Sequence, residues 1–534
     1  MFGEECKKTL PVKLERTKVL DENTSYAIET DQLTKVVDNT ITGIGQATVY
    51  HTIRNPLESA ESIKAKQEAL REIRTNDKLR QGAIKLLERV QQYENSVREL
   101  FNGGFFSDIY DSQKKVRTIL TSLPEWSSEM PETESQYLAE IKNTFQRLEG
   151  SPIEKLARGP IFRDLRRRAV YGLRELVQNP RLVSPLPFHP FPVKAIATGI
   201  SVLPAVFLYY YGCSNPNDGA TCSWIAPTIW GIVGGKLGKA IGESRDMKNF
   251  LIPMMARFRD ESESRAAFKA IGSLDELIAY DKFGRDLAHS TIPEVTGLPT
   301  HEFSARNLIN AVQSKRLPYY VPNDVVFNNG QPLNFLTGPN SGGKTSLGKS
   351  IAQAQVLAQA GCYVPADWAK MSVADRIFYQ IGMNDTLEDD EGGLGAQFVQ
   401  TRDILFSSTP RSLVVIDDLI EGTTFEEKTR HTRNQLYGFL CKGPTIVYIS
   451  HHYELAQEFR DKGIGNYLQV EFDGESPTHK IVSGISTNSH SDLVAKRTRF
   501  DEEAIKRHLV DEGYLESKKT LRDVSKYVRP SLQN

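Results

Sequence analysis

The sequence predicts an α + α/β protein, in which a helical region is followed by an α/β domain built on a largely parallel sheet. Three observations predict it. Apolar residues recur at helical spacing through the early part of the chain. Beyond about Gly297, short apolar runs separated by Gly, Pro and Asn alternate with helix-like stretches. Within that second region, a glycine-rich loop stands between a strand-like run and a helical pattern.

At 534 residues the chain holds material for roughly three domains of ordinary size. Its 66 Lys+Arg against 67 Asp+Glu leave a net charge of −1, which excludes a strongly basic coat or an acidic tail as its dominant character. With 39% hydrophobic and 25% charged residues, the collagen-like, disordered and polytopic membrane classes are excluded too. Five cysteines do not make a disulfide scaffold, and the isolated Cys6, Cys362 and Cys441 read as reduced, mostly buried thiols. The opening MFGEECKKTLPVKLERTK has no apolar run, so no cleavable signal peptide is expected.

Each element follows from its pattern. Residues 1–30 read as an extension. From Asp31 to about Phe101, the residues Leu70, Ile73, Leu79, Ile84, Leu87 and Val90 fall along one stripe of consecutive helices. Residues 102–133, with their Gly, Pro and Ser, read as a break. Helical patterning resumes from about Glu134 to Gln178 and ends in NPRLVSPLPFHPFP, whose prolines forbid a continuous helix. A helical domain over 31–190 follows from this.

Next comes a local exception to the average. Ala195–Gly212 carries no charge over roughly 18 residues, near the lower limit for spanning a bilayer. A second uncharged run, Ser223–Gly235, is about 13 residues long, the length of a buried or interfacial helix. Arg163, Arg166–Arg168, Arg174, Arg181 and Lys194 precede the first run, and Lys236, Lys239, Arg245 and Lys248 follow the second. The loop between them carries only Asp218. That asymmetry predicts a transmembrane helical hairpin over 191–243, attached to the membrane through residues 195–241, with both ends cytoplasmic. Cys213 and Cys222 would then lie outside, where a disulfide is permitted. An apolar helical pair buried in the protein or in a partner is the alternative. Residues 244–296 return to a helical pattern, and the α/β domain is placed at 297–510, before a tail at 511–534.

The chemistry concentrates in the α/β domain. Gly338-Pro339-Asn340-Ser341-Gly342-Gly343-Lys344-Thr345 is a full G-x-x-x-x-G-K-T, preceded by the strand-like Leu333–Leu336 and followed by a helix that opens at Ser346. Glycines let backbone N–H groups approach phosphates, and the helix N-terminus favours the anion. Lys344 would reach the β- and γ-phosphates of ATP, and the Thr345 hydroxyl would ligate Mg²⁺. Leu413–Ile416 is an apolar strand that ends in Asp417 and Asp418. Asp417 fits the Mg²⁺-side acid, and Asp418 would orient or activate the attacking water. A third strand, Thr445–Ile449, ends at Ser450-His451-His452, where His451 could sense or stabilise the γ-phosphate. As a metal pair, His451 and His452 are weak, because adjacent strand residues face opposite ways.

These residues carry a resemblance. GPNSGGKT, then AGCYVPADWAKMSVADRIFYQIGMNDTL, SLVVIDDLIEGTT and ISHHYEL, resembles in order and spacing the ATPase domain of the MutS family, over roughly Phe303–Arg507. The resemblance implies an ABC-like P-loop fold, ATP and Mg²⁺ as cofactors, a homodimer formed through the ATPase domains, and DNA as partner. Tyr320-Val321-Pro322-Asn323-Asp324-Val325 resembles the family's segment beside the adenine, which implies that Tyr320 and Val321 contact the base. Asp38-Asn39-Thr40 through Gly45, with Arg54-Asn55-Pro56-Leu57 and Ile63–Ile73, resembles the start of the family's helical core and lever domain.

The departures are specific. The core resemblance starts near residue 31, so the mismatch-reading and connector domains are expected to be absent. Asp418 stands where the family carries Glu, one methylene longer, which implies slow hydrolysis. Glu391–Phe398 lies at the family's Ser/Thr-Phe signature loop but contains no Ser or Thr. The apolar hairpin falls roughly where a DNA-clamping insertion would occur. The expected function is an ATPase that couples nucleotide state to lever movement on DNA. The alternative is a membrane-anchored ATPase, or an ATP-dependent scaffold, that acts on a membrane or protein partner.

Overall fold

The computed structural model describes residues 18–102, 109–152, 154, 233, 234, 236, 262–317, 319–327, 331–339, 342–382, 392–417, 424–474, 476–486, 495 and 498–515. The chain divides into two compact units. One comprises Met1–Val36, Thr52–Lys64 and Phe283–Asn534, and the other Val37–His51 and Ala65–Lys282.

The second unit is helical. Its described residues come from α3 (Gly43–Arg54), α4 (Ala60–Thr75), α5 (Asp77–Asn102), α6 (Ile109–Ser128), α7 (Gln136–Gln146) and α8 (Ser262–Asp286). Leu70, Ile73, Leu79, Leu87 and Val90 are buried along the expected stripe, together with Ala83 and Leu86. Ile84 is only half-buried, because Ala83 and Leu86 take the inward positions beside it. Residues 102–133 are not one break, since α6 runs through most of them and contains Pro124. A proline inside a helix costs about 3 kcal/mol. Ile119, Leu120 and Leu123 are all buried, and at roughly 1.5–3 kcal/mol per large apolar side chain they offset that cost.

Buried carboxylates hold the start of α3. Asp275 accepts from the Ile41 amide at 2.9 Å and from the Thr42 amide and hydroxyl at 2.7 Å each. Glu94 accepts from the Gly43 and Ile44 amides at 2.8 and 2.7 Å. These orphan donors of a helix start are thus satisfied by acids that also complement the helix dipole. Gly45 is obligatory here, because a Cβ would stand 2.1 Å from Asp275 Oδ2. Burial, the largest influence, raises the Asp275 pKa against the lowering effect of its hydrogen bonds. Lys66 and Glu276 pair at 2.7 Å in the interior, and the Tyr280 hydroxyl donates to Glu276 at 2.7 Å.

The first unit is the α/β one. Its main sheet has six strands in the order β10-β9-β4-β8-β7-β6. They are β4 (Leu333–Thr337), β6 (Ile377–Ile381), β7 (Leu413–Asp417), β8 (Thr445–Ser450), β9 (Asn466–Asp473) and β10 (Ser476–Ser483). All neighbouring strands pair in parallel except the β9–β10 hairpin. The strands read as continuous apolar runs because both faces are covered. One face packs Phe335, Phe378, Val414, Ile416, Ile446 and Tyr448 against the helical residues Leu436, Phe439, Leu455 and Phe459. The other lies under α9 (Lys344–Gln359).

A second, four-stranded sheet of order β1-β5-β2-β3 was not foreseen. It comprises β1 (Glu294–Thr296), β2 (Phe303–Leu308), β3 (Asn323–Phe327) and β5 (Trp368–Ser372), and it is antiparallel except between β1 and β5. Three further helices are α10 (Gly392–Ser407), α11 (Phe425–Lys442) and α12 (Tyr453–Asp461). The leading segment also belongs to this unit. α1 (Glu22–Ala27) is capped by Asp21, whose Oδ1 accepts from the Thr24 amide at 2.6 Å, and α2 (Thr30–Val37) follows.

Among the described residues, no helix is long and apolar enough to cross a membrane. The hairpin expected over 191–243 lies outside them, apart from the helical Val233, Gly234 and Lys236. Cys6, Cys213 and Cys222 also lie outside them. Cys362 is buried, but Cys441 is exposed near the end of α11, contrary to the expectation of mostly buried thiols.

Candidate functional site

The glycine-rich loop joins β4 to α9 at the C-terminal edge of the parallel sheet. β8 lies between β4 and β7, so the ends of the three strands come side by side. Thr337 is in register with Ser450, and Asp417 with Ile449. Crevices at the carboxyl ends of such strands are where open α/β sheets bind ligands.

Gly343 caps α9 with φ 95°, a left-handed conformation that glycine adopts without a Cβ penalty. Gly342 lies against Val470 of β9, whose Cγ2 would stand 2.8 Å from an added Cβ. Lys344 follows as the first residue of the helix and is buried, only 5% exposed. Its ammonium donates to the carbonyls of Gly338 and Pro339 at 2.8 Å each, and His451 Nε2 is 3.4 Å away. The loop thus folds its own carbonyls around the cation. Thr345, next along, is exposed at the mouth.

Asp417 ends β7 half-buried, and Tyr379 of β6 donates its hydroxyl to Asp417 Oδ2 at 3.1 Å. The same hydroxyl lies 3.4 Å from the Thr345 carbonyl. Burial, followed by the Asp417 charge, drives the Tyr379 pKa well above the ordinary phenol range, so this group stays a neutral donor. Tyr320 reaches the same helix, with its hydroxyl 2.9 Å from Ser346 Oγ and 3.3 Å from Ser350 Oγ. Ser346 also donates to Gln313, so its hydroxyl is engaged within the protein rather than directed at the loop. Asn323 fixes the segment that holds Val321. It donates to the carbonyls of Val321 and His479 at 3.1 Å each and accepts from the Ile481 amide at 2.7 Å.

Of the residues picked from the sequence, Gly338, Pro339, Gly342, Gly343, Lys344, Thr345, Asp417 and His451 share this sheet edge. Ser346 lies in the first turn of α9, and Tyr320 and Val321 flank it from the segment that leads into β3. Asn340, Ser341 and Asp418 lie outside the described residues. The segment expected to be a signature loop is helical from Gly392 onward, as the opening of α10. Sequence reasoning missed Tyr379, Gln313 and Gly348. Tyr379 reads as one more aromatic of a buried strand, and the only available signal was a glycine one turn into the loop's helix.

The donor set suits a nucleoside triphosphate with its divalent cation. It combines a buried ammonium and a helix N-terminus for phosphate with a hydroxyl and a carboxylate for a hard cation.

The family model for MutS domain V matches residues 334–509, from β4 through most of α13 (Glu502–Asp511). The chain is 25% identical over 518 residues to the DNA mismatch repair protein MutS of Methanothrix thermoacetophila, covering 89% of this chain and 58% of that one. It is 36% identical over 214 residues to the DNA mismatch repair protein MSH3 of Kluyveromyces lactis, covering 37% of this chain and 21% of that one. It is 28% identical over 268 residues to the endonuclease MutS2 of Thermus thermophilus, covering 50% and 35%. The chain therefore spans less than two thirds of the length of these relatives. The domain V match over residues 334–509 and the alignment over 89% of its residues make this chain similar to the MutS family.

Proposed function

We propose that this chain is a Mg²⁺-dependent, ABC-like P-loop ATPase that couples its nucleotide state to movement of its helical domain on DNA, as a homodimer joined through the ATPase domains. The observation that carries the reading is the buried Lys344 ammonium, seated on loop carbonyls at the start of α9 beside the end of β7. The names of the relatives, DNA mismatch repair proteins, support DNA as the partner.

The residues divide the work. Lys344 exchanges the carbonyls of Gly338 and Pro339 for the β- and γ-phosphate oxygens, while the backbone N–H groups of the loop's non-proline residues take up the remaining charge. Thr345 and Asp417 would hold Mg²⁺, which would supply charge neutralisation for the phosphates when bound. Asp418 orients the attacking water, and its short side chain makes turnover slow. His451, 3.4 Å from the lysine, reads the γ-phosphate. Tyr320 and Val321 line the base.

The test is ATP binding and turnover by the full chain, with and without duplex, mismatched and branched DNA. Lys344→Ala is expected to weaken ATP affinity about 100-fold, or ~2.7 kcal/mol, and to abolish turnover. Undiminished affinity would end the assignment. DNA is expected to stimulate turnover, with an affinity that falls as salt rises. Membrane attachment through residues 195–241 is a separate proposal, favoured by the basic flanks of the uncharged run. Release of the chain from membranes by carbonate would end it.

A further inference from the structure

One buried side chain links the two halves of the cation site. Tyr379 is 1% exposed, and its ring lies on the face of the sheet beneath α9, which carries its hydroxyl to Asp417 Oδ2. It passes close to Gly348, which lies one turn after Lys344 and has no side chain. A Cβ at that position would stand 2.7 Å from Ile449 Cδ1, 3.1 Å from the Tyr379 hydroxyl oxygen and 3.3 Å from Val415 Cγ1. A glycine inside a helix costs roughly 1 kcal/mol relative to alanine. Helix α9 accepts that cost at the place where the tyrosine crosses it.

A phenol has one proton to give. Among the described residues its two acceptors in reach are a carboxylate at 3.1 Å and a carbonyl at 3.4 Å, and the charged, nearer oxygen takes it. The Asp417 backbone is fixed by strand pairing to β6 and β8. The Tyr379 hydroxyl adds a donor on Oδ2 and so fixes one of the two carboxylate oxygens. Partners that orient a cation ligand in this way are worth 10–100-fold in metal affinity where they have been removed.

Building on the nucleotide-site reading above, we propose that Tyr379 is a positioning residue, whose hydroxyl holds Oδ2 of Asp417 and assigns Oδ1 to the Mg²⁺ shared with Thr345. Gly348 is the second part of the device, the gap through which the tyrosine works.

The experiment compares the full-length wild type with Tyr379→Phe, using a fluorescent ATP analogue. Binding is measured in EDTA and then titrated with Mg²⁺. Analogue affinity in EDTA is expected to stay within about twofold, while the Mg²⁺ concentration for half-saturation rises about tenfold. An unchanged Mg²⁺ midpoint in a variant that binds the analogue normally overturns the tyrosine's role and leaves the nucleotide site standing. A wild type that binds no analogue under either condition overturns both. If the phenylalanine variant does not fold, fluorotyrosine placed at position 379 keeps the hydroxyl. Its fluorine resonance is expected to move on adding Mg²⁺ to the ATP-bound protein, and a resonance indifferent to Mg²⁺ overturns the proposal.

Discussion

The helical unit and the α/β unit use buried polarity in opposite ways. In the helical unit, full charges act as fasteners. Lys66 and Glu276 are 4% and 2% exposed, and Asp275 and Glu94 reach from distant helices to the start of α3. In the α/β unit, the fully buried joints of α9 are made by neutral amides, while its ion pair to Glu29 is partly exposed. Gln353 donates to the Ile28 carbonyl, Gln355 to Ser372, and Gln359 to Leu57 and Ala374. Charge is instead gathered at the sheet edge, where the buried Lys344 and the half-buried Asp417 lie. Neutral hydrogen bonds cost little to desolvate, and they leave the field at the loop to the groups proposed to hold phosphate and cation. A buried ion pair gives little net stability, but it penalises every packing in which either partner is left alone.

The largest expected effect breaks the charged fastener. Lys66→Met leaves Glu276 buried and uncompensated and is expected to cost about 3–5 kcal/mol in urea unfolding, with nucleotide affinity unchanged. Adding Glu276→Leu should recover most of the loss. If the double variant stays as unstable as the single one, the pair is not the fastener.

The next effect concerns an ionisable side chain buried among those neutral amides. His301 is buried against Gln355 at 3.2 Å, and burial lowers its pKa to about 4. The unfolded chain, with its ordinary value of 6.5, takes up a proton first. Stability is therefore full above about pH 6.5 and falls as pH drops towards about 4, by roughly 3 kcal/mol in total. Denaturant midpoints taken across that window should slope for the wild type and lose that slope in His301→Gln. An unchanged slope would place the acid sensitivity elsewhere. The smallest effect is local. Asp21→Ala removes the cap of α1 and is expected to cost about 1 kcal/mol, seen as faster amide exchange at Thr24 and Ser25.

Legibility in the sequence followed distance along the chain. The glycine loop is contiguous, and the strands that end at Asp417 and His451 are short apolar runs, so pattern alone located them. The fasteners were invisible for the opposite reason. Asp275 serves Thr42 from 233 residues away, and nothing near either residue announces the other. The antiparallel sheet was missed because β1 has 3 residues and β2 and β3 have 6 and 5, too few to establish alternation. Pro124 misled in the other direction, because local propensity argued for a break while three buried apolar side chains held the helix. Tyr379 could be recognised only together with Gly348 and Asp417, a triple that exists in space and not in spacing.

The leading segment bears on how this chain avoids its own copies. β6 is the last strand of the main sheet, and its outer N–H groups would otherwise present a template for another strand. Ile377 gives its amide to the Val19 carbonyl at 2.8 Å, and Tyr379 gives its own to the Thr24 hydroxyl at 3.0 Å. Leu20 makes a single parallel bridge to Ile377 before the chain turns into α1. Nine residues on, Glu29 pairs with Lys349 at 2.6 Å on the helix of the glycine loop. Cutting the chain ahead of residue 30 would therefore remove a guard against edge-to-edge aggregation, and the strand it uncovers is the one that carries Tyr379.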